Sequence, residues 1–197
     1  MKLLSMKLLS EFKYISKNLK YLVVFSCISL SACSSPPIIP LQTVPQVDLN
    51  RYLGNWYEVS MIPNQFQKMC VADTQANYIT TDTWTGDSIK VINRCRKQDG
   101  TIEIANGVAK VIQGSQNTKL KVSFFRPFYG NYWILALGEK SANYDWVLVG
   151  EPKRQYGWIL SRTPVLDPVS LETALKKAES LGYSRSQFVL SKQTNPL

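Results

Sequence analysis

Gly54-Asn55-Trp56-Tyr57-Glu58 near the start and Trp158-Ile159-Leu160-Ser161-Arg162 near the end bracket about a hundred residues that read almost wholly as β-strand. An early indole and a late guanidinium of this kind can stack, cation over ring, and seal one end of a barrel. Between them, alternation and turn residues mark eight strands near 54–61, 71–81, 87–95, 101–112, 118–125, 132–138, 146–150 and 156–161. The links carry Thr-Gly-Asp, Gln-Asp-Gly, Gly-Ser-Gln-Asn, Tyr-Gly-Asn and Pro-Lys-Arg-Gln-Tyr-Gly, all turn chemistry. Even spacing with short links predicts an all-β, eight-stranded antiparallel up-and-down barrel, whose closure removes exposed edges. The longer stretch 62–70 is the exception and is expected to lie over the mouth as a lid.

After the barrel, Asp167-Pro168 forms a helix entry, with a capping carboxylate ahead of a first-turn proline. Leu171, Leu175, Ala178 and Leu181 then share one face, and Gly182 ends the run. This C-terminal α-helix is expected to pack on the outside of the barrel, with a last short strand near 188–190.

Composition removes several function classes. The 197 residues contain no histidine, so the usual general base, the serine and cysteine triads and the zinc-protease motifs are absent. Neither a P-loop nor a Gly-x-Gly-x-x-Gly turn occurs, and no catalytic, metal-binding or cofactor-binding set is assigned. A bound tetrapyrrole iron would lack its commonest ligand. The net charge is +9, but the first 32 residues hold five lysines against one glutamate and leave only +5 on the rest. That mild, mixed charge predicts no nucleic-acid surface.

Residues 1–32 read as a lipoprotein signal peptide. Lys2, Lys7, Lys13, Lys17 and Lys20 form the basic region, Tyr21 to Leu30 the apolar one, and Leu30-Ser31-Ala32-Cys33 a lipobox. The apolar run is too short for a retained transmembrane helix. The repeated Met-Lys-Leu-Leu-Ser leaves Met1 and Met6 both open as the start. Cys33 is the expected site of acylation, and Ser34 after it suits export to the outer membrane with the domain on the periplasmic side. Residues 33–47 then form the lipidated N-terminus and an extended proline-containing tether, 48–192 the barrel domain and 193–197 a tail. With Cys27 in the signal and Cys33 acylated, Cys70 and Cys95 remain. A hairpin turning near Thr83-Trp84-Thr85-Gly86-Asp87 puts them roughly opposite, within disulfide reach.

Alternation assigns the inward faces. Ile89, Val91 and Asn93 fall on one side of the third strand, and Ala105, Gly107 and Ala109 on one side of the fourth. Leu120, Val122 and Phe124 follow, then Tyr132, Ile134 and Ala136, then Val147 and Val149, then Trp158 and Leu160. Of these, Asn93, Ala105, Gly107, Val122, Phe124, Tyr132, Ile134, Val149, Trp158 and Leu160 are the expected ligand-binding residues. The small side chains of the fourth strand are expected to leave volume and the aromatics to supply walls. Asn93, Tyr132 and Glu58 would be polar points for a headgroup.

These stretches resemble the signature regions of lipocalins. More narrowly, Gly54 to Val59, Leu120 to Gly130 and Trp158 to Pro164 are similar to bacterial lipocalins, the outer-membrane lipoprotein relatives of apolipoprotein D, over about residues 47–192. Where the family usually has Thr-Asp-Tyr at the turn before the seventh strand, this chain has Asn143-Tyr144-Asp145. The resemblance implies a barrel closed by Gly54, Trp56 and Arg162 that holds a fatty acid or lysophospholipid and catalyses nothing. A lipid-modifying enzyme of the same fold, a ligandless interaction lipoprotein and a homodimeric assembly stay open.

Overall fold

The computed structural model describes residues 40–80, 88–139 and 142–197. The signal peptide, Cys33, most of the tether and the turn expected at 83–87 lie outside the described residues. A four-residue helix α1 (Leu49–Tyr52), capped by Asp48, leads into the sheet. The strands are β1 (Gly54–Met61), β2 (Cys70–Thr80), β3 (Ser88–Lys97) and β4 (Ile102–Val111). They continue as β5 (Lys119–Phe125), β6 (Phe128–Leu137), β7 (Trp146–Gly150) and β8 (Gly157–Ser161). Each pairs antiparallel with the next. β1 pairs with β2 along Gly54–Tyr57 and with β8 along Tyr57–Met61, so the sheet closes. A two-residue strand, β9 (Val189–Leu190), pairs with the end of β1 at Ser60 and Met61.

Closure creates two cores. Inside the barrel, Trp56, Tyr78, Ile89, Val91, Leu120, Ile134, Val147, Val149 and Leu160 pack together. Outside it, α2 (Pro168–Ser180) lays Ala174, Leu175 and Ala178 against Leu135, Trp146, Leu148 and Ile159. All five residues of β7 are buried, because one face looks into the barrel and the other lies under α2. The helix begins as the sequence implies: the Asp167 carboxylate accepts from Ser170 N at 2.9 Å, with Pro168 in the first turn. Gly182, at φ +87°, leaves it in the left-handed region. Both cores, the disulfide and every strand fall within the single compact unit Ile39–Leu197.

Two local expectations change. The β5–β6 hairpin reverses at Arg126-Pro127, so Phe128 to Asn131 belong to β6 and Gly130 pairs with Val122. Tyr-Gly-Asn has turn composition but sits in the strand. In β6 the register slips between Ile134 and Ala136. That bulge turns Ala136 outward, where it packs beside Leu135 under α2 and not in the barrel.

Candidate functional site: the barrel interior and its two ends

In a closed meander, the loops alternate between ends. The loops β1–β2, β3–β4, β5–β6 and β7–β8 share one end, and α1 and Arg162 occupy the other. The second end is sealed. Trp56 is fully buried, and the Arg162 guanidinium carbon lies 3.8 Å from its ring centroid. Arg162 donates through Nη1 to Asn55 O at 2.8 Å, through Nη2 to Arg51 O at 2.7 Å and through Nε to Tyr144 O at 3.2 Å. Trp56 Nε1 donates to Tyr52 O at 2.8 Å. Gly54 is set by its backbone: its φ of +91° is one that side-chain-bearing residues rarely adopt, while a Cβ there would meet Arg162 Nη1 at an ordinary contact distance of 3.5 Å. Tyr144 of the variant turn is buried, lies under Arg51 and accepts from Asp48 N through its hydroxyl at 3.0 Å. The departure from the usual signature thus still ties the turn to α1.

Above the seal, burial divides the inward faces. Ile89, Val91, Ala109, Leu120, Ile134, Val147, Val149 and Leu160 are buried, whereas Asn93, Ala105, Gly107, Val122, Phe124, Tyr132 and Trp158 point inward yet keep solvent-accessible surface. The apolar members of the accessible group are Ala105 on β4, Val122 and Phe124 on the neighbouring β5, and Trp158 on β8. One expected space is taken. A Cβ on Gly107 would fall 2.7 Å from the Phe124 ring, so glycine makes room for that ring and not for a ligand.

Polar groups occupy three levels. Deepest, Tyr132 Oη is shared by Tyr52 Oη at 2.6 Å and Tyr78 Oη at 2.8 Å. Burial raises all three phenols well above their ordinary value, Tyr78 to about 12, so they stay neutral. Asn93 lies further toward the open end, its Oδ1 buried and without a partner among the described residues. At the mouth, Glu58 is pinned from two sides: Gln67 Nε2 donates to Oε2 at 2.7 Å and Ser191 Oγ to Oε1 at 2.6 Å. Burial raises its carboxyl, opposed by those two hydrogen bonds.

The 62–69 loop does lie at this mouth. Asn64 caps a turn of 3-10 helix (Gln65–Gln67), and Gln67 Oε1 accepts from Trp158 Nε1 at 2.9 Å. Tyr156 stacks on Trp158, with Phe66 against it. The rim also carries exposed aromatics, Phe66 (67 %), Phe125 (81 %) and Phe128 (76 %), beside Lys68 and Arg126.

Cys70 and Cys95 form a disulfide with Cα atoms 5.4 Å apart. Two bulges in β2 shift the register so that Cys70 faces Lys97, and the bridge runs diagonally to Cys95. It staples the rim side of β2 to β3. Beside it, buried Asp73 pairs with Arg96 at 2.7 Å and accepts from Thr194 N and Asn195 N. Burial would raise the Asp73 carboxyl, but Arg96 and these donors outweigh it and hold it below its ordinary value.

Sequence reading missed Tyr52, Tyr78, Gln67 and the tail. Tyr78 follows from alternation carried into β2. Tyr52 sits in a helix too short to show a period, and nothing in residues 191–195 marks them as partners of Glu58 and Asp73.

A closed antiparallel barrel with an external helix, sealed by a tryptophan–arginine stack, defines a lipocalin, and a family model for the lipocalin-like domain matches residues 47–193. The chain belongs to that family. It is 36% identical to outer membrane lipoprotein Blc of Escherichia coli K12, over 82% of this chain and 89% of that one. Against outer membrane lipoprotein Blc of Vibrio cholerae the identity is 30%, covering 87% and 96%. Against rat apolipoprotein D it is 38%, over 57% of this chain and 54% of that one. Among solved structures, insecticyanin from the tobacco hornworm superposes with a TM-score of 0.61 at 19% identity, covering 81% of this chain and 86% of that one. The family's members are in general binding and transport proteins for hydrophobic small molecules. No described helix is long and apolar enough to cross a membrane.

Proposed function

We propose that this protein is an outer-membrane lipoprotein, acylated at Cys33, that holds or carries a fatty acid or lysophospholipid in its barrel and catalyses no reaction. The observation that carries this reading is the split of the inward faces: a dry layer above the Trp56–Arg162 seal, then an apolar wall still open to solvent at the other end. That is the shape of a cup. An alkyl chain leaving water for it gains about 0.8 kcal/mol per buried methylene. Val122, Phe124, Val149, Ile134, Leu160 and Trp158 would line the chain, with Ala105 on the neighbouring strand β4. The relatives named outer membrane lipoprotein support the location, as does the lipobox. Passive binding fits a chain without histidine, whose Cys70 and Cys95 are joined to each other.

Native mass spectrometry of the protein extracted from membranes without added lipid tests this directly. The expected spectrum shows an acylated Cys33 terminus and one non-covalent acyl lipid per barrel. A ligand-free barrel, or an unmodified Cys33, removes the corresponding half of the proposal.

A further inference from the structure

Phe66, Met69, Phe125 and Phe128 are all exposed, and they stand on the β1–β2 and β5–β6 connections at the open end. In the closed ring of eight strands these two connections lie on opposite sides of the mouth. Each joins apolar to basic side chains: Phe66-Gln67-Lys68-Met69 on one, Phe125-Arg126-Pro127-Phe128 on the other. Phe125 and Phe128 are partners across the hairpin tip, so the sheet itself holds both rings out in water. Large apolar side chains fixed in water add nothing to the fold, and a cluster of them marks a surface that something else covers.

Charge, continuity with the cup and reach identify the cover. Lys68 and Arg126 are exposed and have no ion-pair partner among the described residues. The acidic groups around the mouth are engaged elsewhere. Glu58 and Asp73 are buried and hydrogen-bonded, and Glu151 accepts from Lys153 N and Gln155 N. Glu103 pairs with Lys97, and Asp99 accepts from Thr101 within its own turn. The two loops therefore present apolar rings beside unpaired cations, the combination that suits an anionic bilayer surface.

The apolar surface also runs inward from both loops. Phe66 lies against Tyr156, which stacks on Trp158 of the inner wall, and Phe125 follows Phe124 of the opposite wall. A protein face spanning both loops would plug the mouth between them, whereas a bilayer meets both and supplies the cargo. The chain is long enough for this. Val44 N donates to Ile134 O, and Phe128 lies six residues from Ile134 along β6, about 20 Å of strand. Cys33 precedes Pro40 by seven residues, a reach of about 25 Å when extended. A terminus anchored at Cys33 has the length to let the rim meet the same bilayer.

We propose that the open rim docks on an anionic phospholipid bilayer through these two loops, so that an acyl chain passes between membrane and cup without crossing water. This rests on the container and anchor readings above and assigns the surface through which the cup meets its supply.

The test is co-sedimentation of the compact unit 39–197, which holds both cores and the disulfide but not Cys33, with two kinds of vesicle. One is phosphatidylcholine with phosphatidylglycerol at 3:1, the other phosphatidylcholine alone. Binding to the anionic vesicles is expected to be about fivefold tighter or more. Phe125→Ser with Phe128→Ser should weaken it about tenfold or more. Lys68→Gln with Arg126→Gln should erase the preference for phosphatidylglycerol, and it tests the rim even if the serine pair does not fold. Val165→Ser with Val169→Ser is the control, because both valines are as exposed as the rim rings but follow Arg162 at the closed end. That pair should change binding by less than about twofold. A fluorescent fatty acid titrated in parallel should bind the native unit and every variant alike. A native unit that binds the fatty acid but stays off the anionic vesicles overturns the docking and leaves the cup standing. Equal loss from the rim and closed-end pairs overturns it as well. Vesicle binding without fatty-acid binding removes the container reading and leaves the docking in place.

Discussion

The two ends of this barrel differ in how completely their polar groups are paired. At the closed end, each guanidinium nitrogen of Arg162 donates to a carbonyl, the Trp56 indole N–H finds Tyr52 O, and the ring itself takes the guanidinium. Toward the open end, Asn93 Oδ1 has no partner among the described residues, Val122, Phe124 and Trp158 keep accessible surface, and aromatic side chains stand out from the rim. A saturated end holds the fold together. An unsaturated end has capacity left for a ligand. Stability and binding should therefore be separable by position.

The largest effect is expected at the seal. Trp56→Ala removes the largest fully buried side chain and should cost about 3–5 kcal/mol in urea unfolding. Arg162→Ala should cost about 2 kcal/mol while changing the affinity of whatever ligand binds by less than twofold. An Arg162→Ala protein of native stability and altered ligand selectivity would break the comparison.

The disulfide comes next. Paired Cys70→Ser and Cys95→Ser should lower stability by roughly 3 kcal/mol, because the bridge closes a loop with a sequence separation of 25. Tyr132→Phe follows at about 1–3 kcal/mol, since it orphans two buried phenols at once. Replacing all three tyrosines by phenylalanine should cost less than that single change, a non-additivity that a double-mutant cycle would measure.

Two carboxyls at the rim give opposite pH signatures. Asp73 is held below its unfolded value, so its contribution is present above the ordinary aspartate range and is lost as pH falls through its folded value. Glu58 is raised, so the folded state binds the extra proton and stability falls as pH climbs from the ordinary glutamate range to the raised value. Glu58→Gln should flatten that second slope, and Asp73→Asn the first. Unfolding free energies across acid to neutral pH distinguish them, and identical slopes in both variants would contradict the assignment. This pair also shows what the C-terminal residues do: Ser191 binds Glu58, while Thr194 and Asn195 bind Asp73.

The barrel itself was legible because β3 alternates, with Ile89 and Val91 buried about exposed Lys90, and β7 is an unbroken apolar run. Legibility failed wherever geometry departs from period two. The bulge after Ile134 reverses Ala136, and a hairpin tightened at Arg126-Pro127 draws Gly130 into a strand. Of the candidate pocket, the inward residues were readable by alternation, but occupancy was not: only the folded position of the Phe124 ring reveals that Gly107 is already covered. Contacts between residues far apart in sequence, such as Glu58 with Ser191 or Tyr52 with Tyr132, leave no local trace.

The separation of seal from cup reduces to one measurement on Ala105→Trp, which sets a large ring on the accessible inner wall and touches nothing at the closed end. Fluorescent fatty-acid titration beside urea unfolding should show affinity reduced at least tenfold with the unfolding midpoint unchanged. Undiminished affinity would mean that the lipid binds somewhere other than inside the barrel.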